Sequence, residues 1–596
     1  MLNWLKQRPF LFVMILCLSV ASYHLVKHRW KGDSWKSTIQ SDGSGYYAYL
    51  PAVFIYQDLQ YRFYLDLKEK YKFGDLSENF LYTENNRLYN RYFCGTSIAM
   101  MPFFLLGWAA AEITGQDADG HSFFFTVSLN VAAIFYVLSG LYLMYRLFSR
   151  RYNKWTVALV CAAIFLGTNT FTYAIYHASY SHAYSFGFIA LFIYLADRSI
   201  RLKTRNSLIH LALCLGMITI IRPTNAIVLI SIPFLSGSYA SFLSWFKFAI
   251  QPRVFLPAVM SCVCVIFIQG FMYHAQCGSW WTDGYPYETF YFDRPEIINM
   301  WFSYRAGVVM WSPVVIAALI GLLVMLVKEP FKGFSMLLFL LMNSWIISSW
   351  WAWHYSGTFG MRPMVDHMPF FIPLICTLFF VLRKVWMKTI LVICLCSITF
   401  VGYTFNKQYI TSIIPWDGMT KEKYWYIFMK TGGGYAFRLF EPYRPPIPPL
   451  QNIMIKHIAF DPADPSAPFL PLHENYHADT LLHYSGRGLQ QLINMPLWSV
   501  RGSGKYYGEI RLDAFYTSVY NKGELYVNFK SGKETIHTER LLLVIPDFKP
   551  NRWNKLRYSF ITEIPNSTID HLELEMHNGP NLPVYLQKLE VTLASL

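Results

Sequence analysis

The chain has 596 residues, of which 54% are hydrophobic, 18% aromatic and only 15% charged. This composition is more apolar than that of a soluble chain of similar size, and it excludes disordered, collagen-like and coiled-coil proteins. The net charge of +15 does not indicate nucleic acid as a partner, because the basic residues form short clusters between apolar runs, as in cytoplasmic loops of membrane proteins.

Apolar runs long enough to cross a bilayer fill the first two-thirds of the chain and predict about eleven crossings. One run is interrupted by Arg222-Pro223 and has room for two short helices. The runs cover residues 9–26, 122–148, 155–176, 181–196, 208–235, 254–273, 308–327, 334–351, 367–382 and 389–405.

A shorter apolar run, residues 98–113, contains Pro102, Gly107 and Glu112. If this run crossed the membrane, the later basic clusters would alternate between the two sides, whereas without it they all fall on the cytoplasmic side. We therefore expect an interfacial or re-entrant helix here, inside a long first external loop that covers residues 27–121. With the N-terminus in the cytoplasm, an odd number of crossings then places the C-terminal region on the extracytoplasmic side.

The C-terminal region is hydrophilic and is expected to form a separate domain. Residues 441–450 contain five prolines, which neither a helix nor a central strand tolerates. Six short alternating runs follow and predict a β-sandwich. These runs cover residues 507–516, 523–530, 538–545, 556–564, 571–577 and 584–593. The expected domains are a transmembrane catalytic domain at 1–405, a linker and irregular region at 406–497, and a jelly-roll-like sandwich at 498–596.

The first external loop contains a candidate catalytic acid, Asp42, in Ser41-Asp42-Gly43-Ser44-Gly45-Tyr46-Tyr47. A carboxylate at the membrane surface can accept a proton from a hydroxyl or amine, or it can bind a divalent cation. The glycines allow a substrate to approach the backbone closely. The alternative interpretation is an ordinary surface turn, since Asp-Gly is common in turns.

A second group of candidates lies between two late runs, in residues 350–367. Arg362 offers a planar fork of donors to a lipid phosphate, and His354 offers one more donor. The tryptophans are also typical of an aromatic belt, with Arg362 then simply solvated. Arg222, at the break in its apolar run, suits either an anion-binding helix end or a kink with a snorkelling arginine.

Common nucleotide and hydrolase motifs are missing from the sequence: there is no Walker loop, GxSxG elbow, HExxH or dinucleotide glycine pattern. Nucleotides are also scarce on the external side, where the candidate residues are expected to lie. A membrane-embedded donor therefore fits better than a nucleotide sugar.

Four short motifs and the layout of residues 1–405 resemble the GT-C superfamily of membrane glycosyltransferases, which includes protein O-mannosyltransferases and aminoarabinose transferases. The motifs are the first-loop acidic motif at Asp42, Met101-Pro102-Phe103 in the interfacial segment, Ile221-Arg222-Pro223-Thr224, and Phe359-Gly360-Met361-Arg362-Pro363. The resemblance implies transfer of a sugar from a polyprenyl-phosphate donor to an extracytoplasmic glycan, lipid or protein, at a bacterial inner membrane.

Carried over from this resemblance, Asp42 is the catalytic base, and Arg362, Arg91 and His354 bind the donor phosphate. Substrate contacts are expected from Tyr46, Tyr47, His182, Trp353 and Asp366. Many such enzymes have paired acids in the first loop, whereas Asp42 is followed by glycine and serine. A second acid, if the reaction requires one, would be Asp283, Glu288 or Asp366. The use of a divalent metal such as Mg or Mn, with Asp42, Asp283 and Glu288 as candidate ligands, is left undecided by the sequence.

Two other functions remain open from the sequence. A non-catalytic glycolipid transporter or flippase would distribute charged groups through its spans at midplane depth. A cell-envelope assembly protein would use the C-terminal sandwich to bind a partner. The sandwich has two open interpretations as well, because it can position the acceptor or serve a purely structural role.

Overall fold

The structure is a computed structural model. It describes residues 8–71, 80–285, 288–355, 357, 359–435, 451–458, 482–484, 488–496, 505–516, 524–532, 534–542, 553–563, 569–578 and 584–595. The chain divides into two compact units, Met1–Gly434 and Tyr435–Leu596. The first unit is helical and the second contains only strands among its described elements.

The first unit contains nineteen described α-helices. They are α1 Pro9–His28, α2 Asp42–Phe54, α3 Phe63–Tyr71, α4 Gly95–Thr114, α5 Phe123–Phe148, α6 Lys154–Gly167, α7 Thr170–Ile175, α8 Ser181–Leu202, α9 Arg205–Ile221, α10 Ile232–Ser236, α11 Tyr239–Ala249, α12 Pro252–Cys277, α13 Ile297–Phe302, α14 Val308–Trp311, α15 Val314–Lys328, α16 Pro330–Ser348, α17 Phe371–Val381, α18 Val385–Ile410 and α19 Lys421–Ile427. A hairpin of β1 Leu81–Glu84 and β2 Arg87–Asn90 precedes α4.

The chain is a polytopic α-helical membrane protein. Among the described residues, seven helices are long and apolar enough to cross a membrane: α1, α4, α5, α8, α12, α16 and α18. Five shorter apolar helical segments lie at Lys154–Gly167, Arg205–Ile221, Pro223–Ser236, Val314–Lys328 and Met368–Val381. Each apolar run found in the sequence therefore contains a helix.

The interruption predicted at Arg222-Pro223 is confirmed. A capping box between Thr204 and Ser207 starts α9, which ends at Ile221, and Arg222 has extended backbone. Proline lacks the amide hydrogen that would continue the helix, so the chain resumes as a 3-10 helix at Pro223–Ser231. The break leaves the Arg222 side chain at the end of a helix instead of on its lipid-facing side.

Helix α4 is longer than the interfacial segment expected at 98–113, and its length and composition would also suit a membrane crossing. Its start is packed against the end of α9, because a Cβ on Gly95 would collide with the backbone of Ile220. Further along, Gly107 packs against Phe124 and Phe125 at the start of α5. Both halves of α4 therefore contact helix ends that lie at one end of the bundle, which carries Asp42 and is called the site end below.

Close helix packing in the bundle depends on small residues. A Cβ on Gly402 of α18 would collide with the carbonyl of Gly167 in α6, and one on Gly321 of α15 would collide with Leu374 of α17. Without a hydrophobic driving force in lipid, helices associate through such close van der Waals contact. These glycines therefore fix how α18 and α15 lie against their neighbours.

The second unit contains two antiparallel sheets. One has the strand order β5-β10-β7-β8, and the other has β3-β11-β6-β9 with β4 paired to β11. The sheets are in contact through the ring of Phe529 on β7, which lies 5.8 Å from Tyr506 and 6.4 Å from Phe560. The strands are β3 Gln451–Ile458, β4 Leu482–Tyr484, β5 Gly488–Pro496, β6 Lys505–Tyr516, β7 Glu524–Ser531, β8 Glu534–Leu542, β9 Trp553–Glu563, β10 His571–Asn578 and β11 Val584–Ser595.

The six predicted strands are present as β6 to β11, but the predicted domain limits differ from the structure. Residues 406–434 belong to the helical unit, where α18 continues to Ile410. Strands β3, β4 and β5 lie within the region expected to be irregular, and each pairs with a later strand. The proline-rich segment 441–450 lies outside the described residues.

Candidate functional site

Asp42 is the first residue of α2, at the site end of the helical unit. The preceding Ser41 has a φ of 50°, which lies in the left-handed region that favours glycine. Gly43 and Gly45 follow on the helix, where a Cβ would collide with Ser179 and with the ring of Tyr92, respectively. The glycines thus let α2 approach the start of α8 and the β-hairpin closely, and this approach fixes the position of Asp42.

The Asp42 carboxylate is held by two donors from distant parts of the chain. Arg362 Nη1 donates to Oδ2 at 2.6 Å, and the Tyr92 hydroxyl donates to Oδ1 at 2.9 Å. Burial by itself raises the pKa of Asp42, but Arg362, the Tyr92 hydroxyl and Arg91 hold it below its ordinary value. The side chains of Asp42 and Arg362 are 25% and 15% exposed, so the ionised pair is accessible from solvent.

Arg91 lies in a tyrosine-rich pocket beside this pair. Its guanidinium pairs with Glu288, and Nη1 donates to the Tyr82 hydroxyl at 3.0 Å. The ring of Tyr285 lies 4.0 Å from the guanidinium carbon, and that of Tyr92 lies 5.6 Å from it. Tyr92 therefore connects Arg91 to Asp42: its ring lies beside the Arg91 guanidinium, and its hydroxyl donates to the Asp42 carboxylate.

A second buried carboxylate, Asp366, has a network of its own. Oδ1 contacts His182 Nδ1 at 2.7 Å, Oδ2 accepts from Asn225 Nδ2 at 2.7 Å, and Arg222 Nε lies 3.5 Å away. Burial raises the pKa of Asp366, but His182 and Arg222 hold it below its ordinary value. Because an ionised carboxylate only accepts hydrogen bonds, His182 Nδ1 carries the hydrogen in this contact.

Tyr46 and Tyr355 connect the two carboxylate networks. Burial raises the pKa of Tyr46, and the positive charges of Arg222 and Arg362 act in the opposite direction. The Tyr46 ring packs on Tyr92 at 4.6 Å, and the ring of Tyr355 lies 5.8 Å from the Arg362 guanidinium carbon. The cluster therefore contains three arginine–carboxylate pairs: Arg362 with Asp42, Arg222 with Asp366, and Arg91 with Glu288.

Such a cluster suits an anionic ligand. Arginine forks match phosphate oxygens in geometry, and aromatic rings at their sides exclude water. The paired carboxylates keep the site electrically balanced until an anion competes for the arginines. Asp42 is a partly exposed carboxylate in contact with one of these arginines.

The structure brings together most of the predicted site residues: Asp42, Tyr46, Arg91, His182, Arg362 and Asp366. Tyr47 instead faces away from this cluster, because its hydroxyl donates to the Gly120 carbonyl and its ring packs on Phe104 and His121. Its expected contact with substrate is not supported. Trp353 and His354 lie in the turn before Tyr355, with ring centroids 5.5 Å apart, and their expected roles stay predictions.

The three candidate metal ligands do not form a site. Glu288 pairs with Arg91 and accepts from Trp351 Nε1 at 3.2 Å, while Asp283 accepts from the Tyr285 amide at 2.8 Å. No three His, Cys, Asp or Glu side chains within the described part of the chain are placed to hold a metal ion. The joint site of Asp42, Asp283 and Glu288 is therefore not supported.

The sequence left the role of Arg222 undecided and did not identify Asn225, Tyr92 and Tyr285 as site residues. Arg222 and Asn225 lie on either side of the helix break, and the interruption of an apolar run by polar residues is a usable signal for them. Tyr92 and Tyr285 carry no comparable signal, because the chain contains 42 tyrosines. Only the folded hairpin shows that the Tyr92 hydroxyl reaches Asp42.

Replacing Asp366 by alanine is expected to destabilise the helical unit. The side chain is 0% exposed, and its loss leaves Arg222 without a carboxylate, which costs about 3 kcal/mol. The measurement is thermal unfolding of the purified protein in detergent. The matched control is Asp33→Ala, which removes an exposed carboxylate paired with Lys36. Equal melting temperatures for the two variants would contradict the assignment.

Comparisons with known proteins give weak similarities. No protein-family model and no curated relative matches the chain. Among solved structures, the arabinosyltransferase EmbB from Mycobacterium smegmatis is 10% identical, with a TM-score of 0.28, over 85% of this chain and 61% of that one. A family 16 carbohydrate binding module-2 is 14% identical, with a TM-score of 0.14, over 20% of this chain and 78% of that one. Similarities at these scores do not establish a family or an activity for this chain.

Proposed function

We propose that the protein is a GT-C-type membrane glycosyltransferase that moves a sugar from a polyprenyl-phosphate donor to an extracytoplasmic glycan, lipid or protein. The proposal rests on the helical membrane unit, on the Asp42 cluster, and on the sequence motifs that contain Asp42 and Arg362. It includes a bacterial inner membrane as the location, with the C-terminal unit on the extracytoplasmic side and membrane lipids as neighbours. Nucleic acid has no role in it.

The observation that carries the proposal is the contact between Asp42 and Arg362. The two residues belong to separate motifs, 320 positions apart, that were assigned complementary roles as base and phosphate ligand. Their contact at 2.6 Å supports a single site in which a base and a phosphate ligand act side by side. Neither residue needs this contact for membrane insertion, since both lie outside the apolar helices.

In the proposed reaction, the acceptor oxygen attacks the anomeric carbon and the bond from that carbon to the phosphate oxygen breaks. The acceptor proton moves to the Asp42 carboxylate, and the bonding electron pair leaves on polyprenyl phosphate. Arg362, supported by Arg91, stabilises the charge that develops on the departing phosphate, so this group leaves without protonation. A single attack from the face opposite the phosphate inverts the anomeric configuration.

Donor binding would also prepare the base. Burial raises the pKa of Asp42, but Arg362 holds it below its ordinary value, which makes the carboxylate a weak base. A phosphate that takes over the Arg362 fork weakens this stabilisation, and the pKa of Asp42 rises toward the range useful for proton transfer. The base is thus activated when the donor is present.

The location of charge favours an enzyme over a transporter. In the described part of the helical unit, the buried ionisable side chains of arginine, aspartate and histidine gather at the site end. They are His24, Arg29, Arg91, His121, His177, His182, Asp366 and His367. A transporter that carries a glycolipid headgroup across the membrane would need such groups at midplane depth.

The test is consumption of polyprenyl-phosphate sugars by the purified full chain in lipid. A panel of sugars is supplied with glycan, lipid and peptide acceptors, with and without Mg or Mn. Turnover of one donor, with a glycosylated acceptor as product, is the expected result. If no donor is consumed with any acceptor while labelled donor lipid still moves between leaflets, the transporter alternative replaces this proposal.

A further inference from the structure

Helices α1 and α18 both pack on α6, in a part of the helical unit that the Asp42 cluster does not use. The two helices are linked by a hydrogen bond of 2.8 Å between His24 Nε2 and the Tyr403 hydroxyl. Below this bond, the ring of Phe171 contacts both side chains, at 5.4 and 5.8 Å. We call the exposed surface of α1 and α18 on either side of this contact, with α6 between the two helices, the α1–α18 groove.

The walls of the α1–α18 groove are apolar and exposed. On α1, Phe12, Leu16 and Tyr23 follow one another at helical spacing, with Tyr23 57% exposed. On α18, Trp386, Ile393 and Phe400 recur every seven residues and therefore share one face. The half-buried Leu159, Ala162 and Leu166 of α6 are spaced to form the floor.

Both apolar stripes end at a lysine near the site end. Lys27 lies one turn beyond Tyr23, and Lys407 lies seven residues beyond Phe400. Lys27 Nζ donates to the Tyr23 hydroxyl at 3.0 Å, and the ring of His28 stacks on that of His24 with centroids 5.6 Å apart. Lys407 lies one turn beyond Tyr403, which is bonded to His24.

The group formed by Lys27, His28 and Lys407 differs from the Asp42 cluster in its charge balance. Within the described residues, no carboxylate forms an ion pair with Lys27, His28 or Lys407, whereas each arginine of the Asp42 cluster has one. The two lysines are cations without a carboxylate partner among the described residues, so they repel each other and attract an anion. At the end of an apolar groove in a membrane helix bundle, the anion with matching chemistry is the headgroup phosphate of a lipid.

We propose that the α1–α18 groove binds an anionic phospholipid, with an acyl chain along α6 and the headgroup phosphate between Lys27, His28 and Lys407. The hydroxyl of Tyr23 accepts from Lys27, and its own hydrogen can be donated to a glycerol ester group of this lipid. The site shares no residue with the Asp42 cluster, so this proposal is independent of the transferase proposal.

Native mass spectrometry of the full chain tests the proposal, with dioleoylphosphatidylglycerol and dioleoylphosphatidylcholine titrated separately. The wild-type chain is expected to bind the anionic lipid more tightly than the zwitterionic one. Each lysine near a membrane surface contributes about a fivefold factor in affinity for anionic lipid. The double variant Lys27→Gln/Lys407→Gln should therefore bind phosphatidylglycerol about 25-fold more weakly, with binding of phosphatidylcholine unchanged.

Two further variants separate charge from folding. Lys27→Arg/Lys407→Arg keeps both charges and should retain binding, whereas Lys31→Gln/Lys36→Gln removes two lysines near the same end of α1 and should leave binding unchanged. Retained phosphatidylglycerol affinity in Lys27→Gln/Lys407→Gln would overturn the proposal, as would equal wild-type affinity for the two lipids. Complete displacement of phosphatidylglycerol by excess inorganic phosphate would also overturn it, since a free-anion site would then be present.

Discussion

Asp42→Asn is expected to lower the turnover of a polyprenyl-phosphate donor by about 100- to 10,000-fold, the usual contribution of a positioned general base. Asparagine keeps the shape of the side chain but cannot accept the acceptor proton. The same change removes the carboxylate that occupies Arg362 at 2.6 Å, so the donor phosphate no longer competes with it. The dissociation constant of the donor should therefore fall in Asp42→Asn, while kcat collapses.

Tighter donor binding together with slower turnover distinguishes a catalytic role of Asp42 from a structural one. Steady-state kinetics in lipid and equilibrium binding of a labelled donor measure the two quantities. The matched control is Asp66→Asn, an exposed carboxylate on α3 in the same loop, which should leave both unchanged. Wild-type turnover in Asp42→Asn would remove Asp42 from the chemistry, and loss of both binding and turnover would assign it to donor binding or folding.

The membrane unit could be predicted from the sequence because lipid imposes a strong rule on composition. Each crossing needs a continuous apolar run, and each such run contains a helix in the structure. The break at Arg222-Pro223 was also predictable, since proline cannot continue the hydrogen bonding of a helix. The length of α4 was less predictable, because Gly95, Thr96 and Ser97 precede the apolar run at 98–113 and are not part of it.

The limits of the second unit were harder to predict. Strands β6 to β11 have alternating sequences and were found, whereas β3, β4 and β5 lie after a proline-rich stretch and alternate less clearly. Their membership of the two sheets depends on pairing with β10 and β11, whose paired residues lie 75 to 144 positions later in the chain. Such long-range pairing leaves no local sequence signal.

The charged residues of the candidate site could be predicted from the sequence, but the residues with which each of them pairs could not. Arg91 was expected to bind phosphate and Glu288 to bind metal, but the fold pairs these two residues with each other. Asp366 was identified by its position near Arg362, yet its partners are His182, Asn225 and Arg222 from two other segments. Pairing between residues more than 100 positions apart follows from packing of the helices, so the sequence alone could not assign it.

The paired carboxylates offset the repulsion between the arginines of this cluster. Three arginines near one another would repel strongly in a partly desolvated site, and each is offset by a carboxylate. Asp366 has the most protected pair, with 0% exposure, whereas Asp42 is 25% exposed. In the proposed reaction, an entering phosphate therefore exchanges partners more readily with Asp42 than with Asp366, and Arg362 becomes available to it.

Arg362→Ala is accordingly expected to lower kcat/KM for the donor by about 100- to 1,000-fold, because it removes the group that stabilises charge on the departing phosphate. Arg362→Lys should recover part of this loss, since lysine keeps the charge but not the two-pronged fork. Donor binding measured at equilibrium should weaken in both variants, in contrast to Asp42→Asn. Arg294→Ala is the matched control, as it removes an exposed arginine stacked 4.5 Å from Tyr291, and it should retain full activity. An Arg362→Ala enzyme that binds donor as tightly as the wild type would show that the phosphate is held elsewhere, with Arg91 and Arg222 as the next arginines to replace.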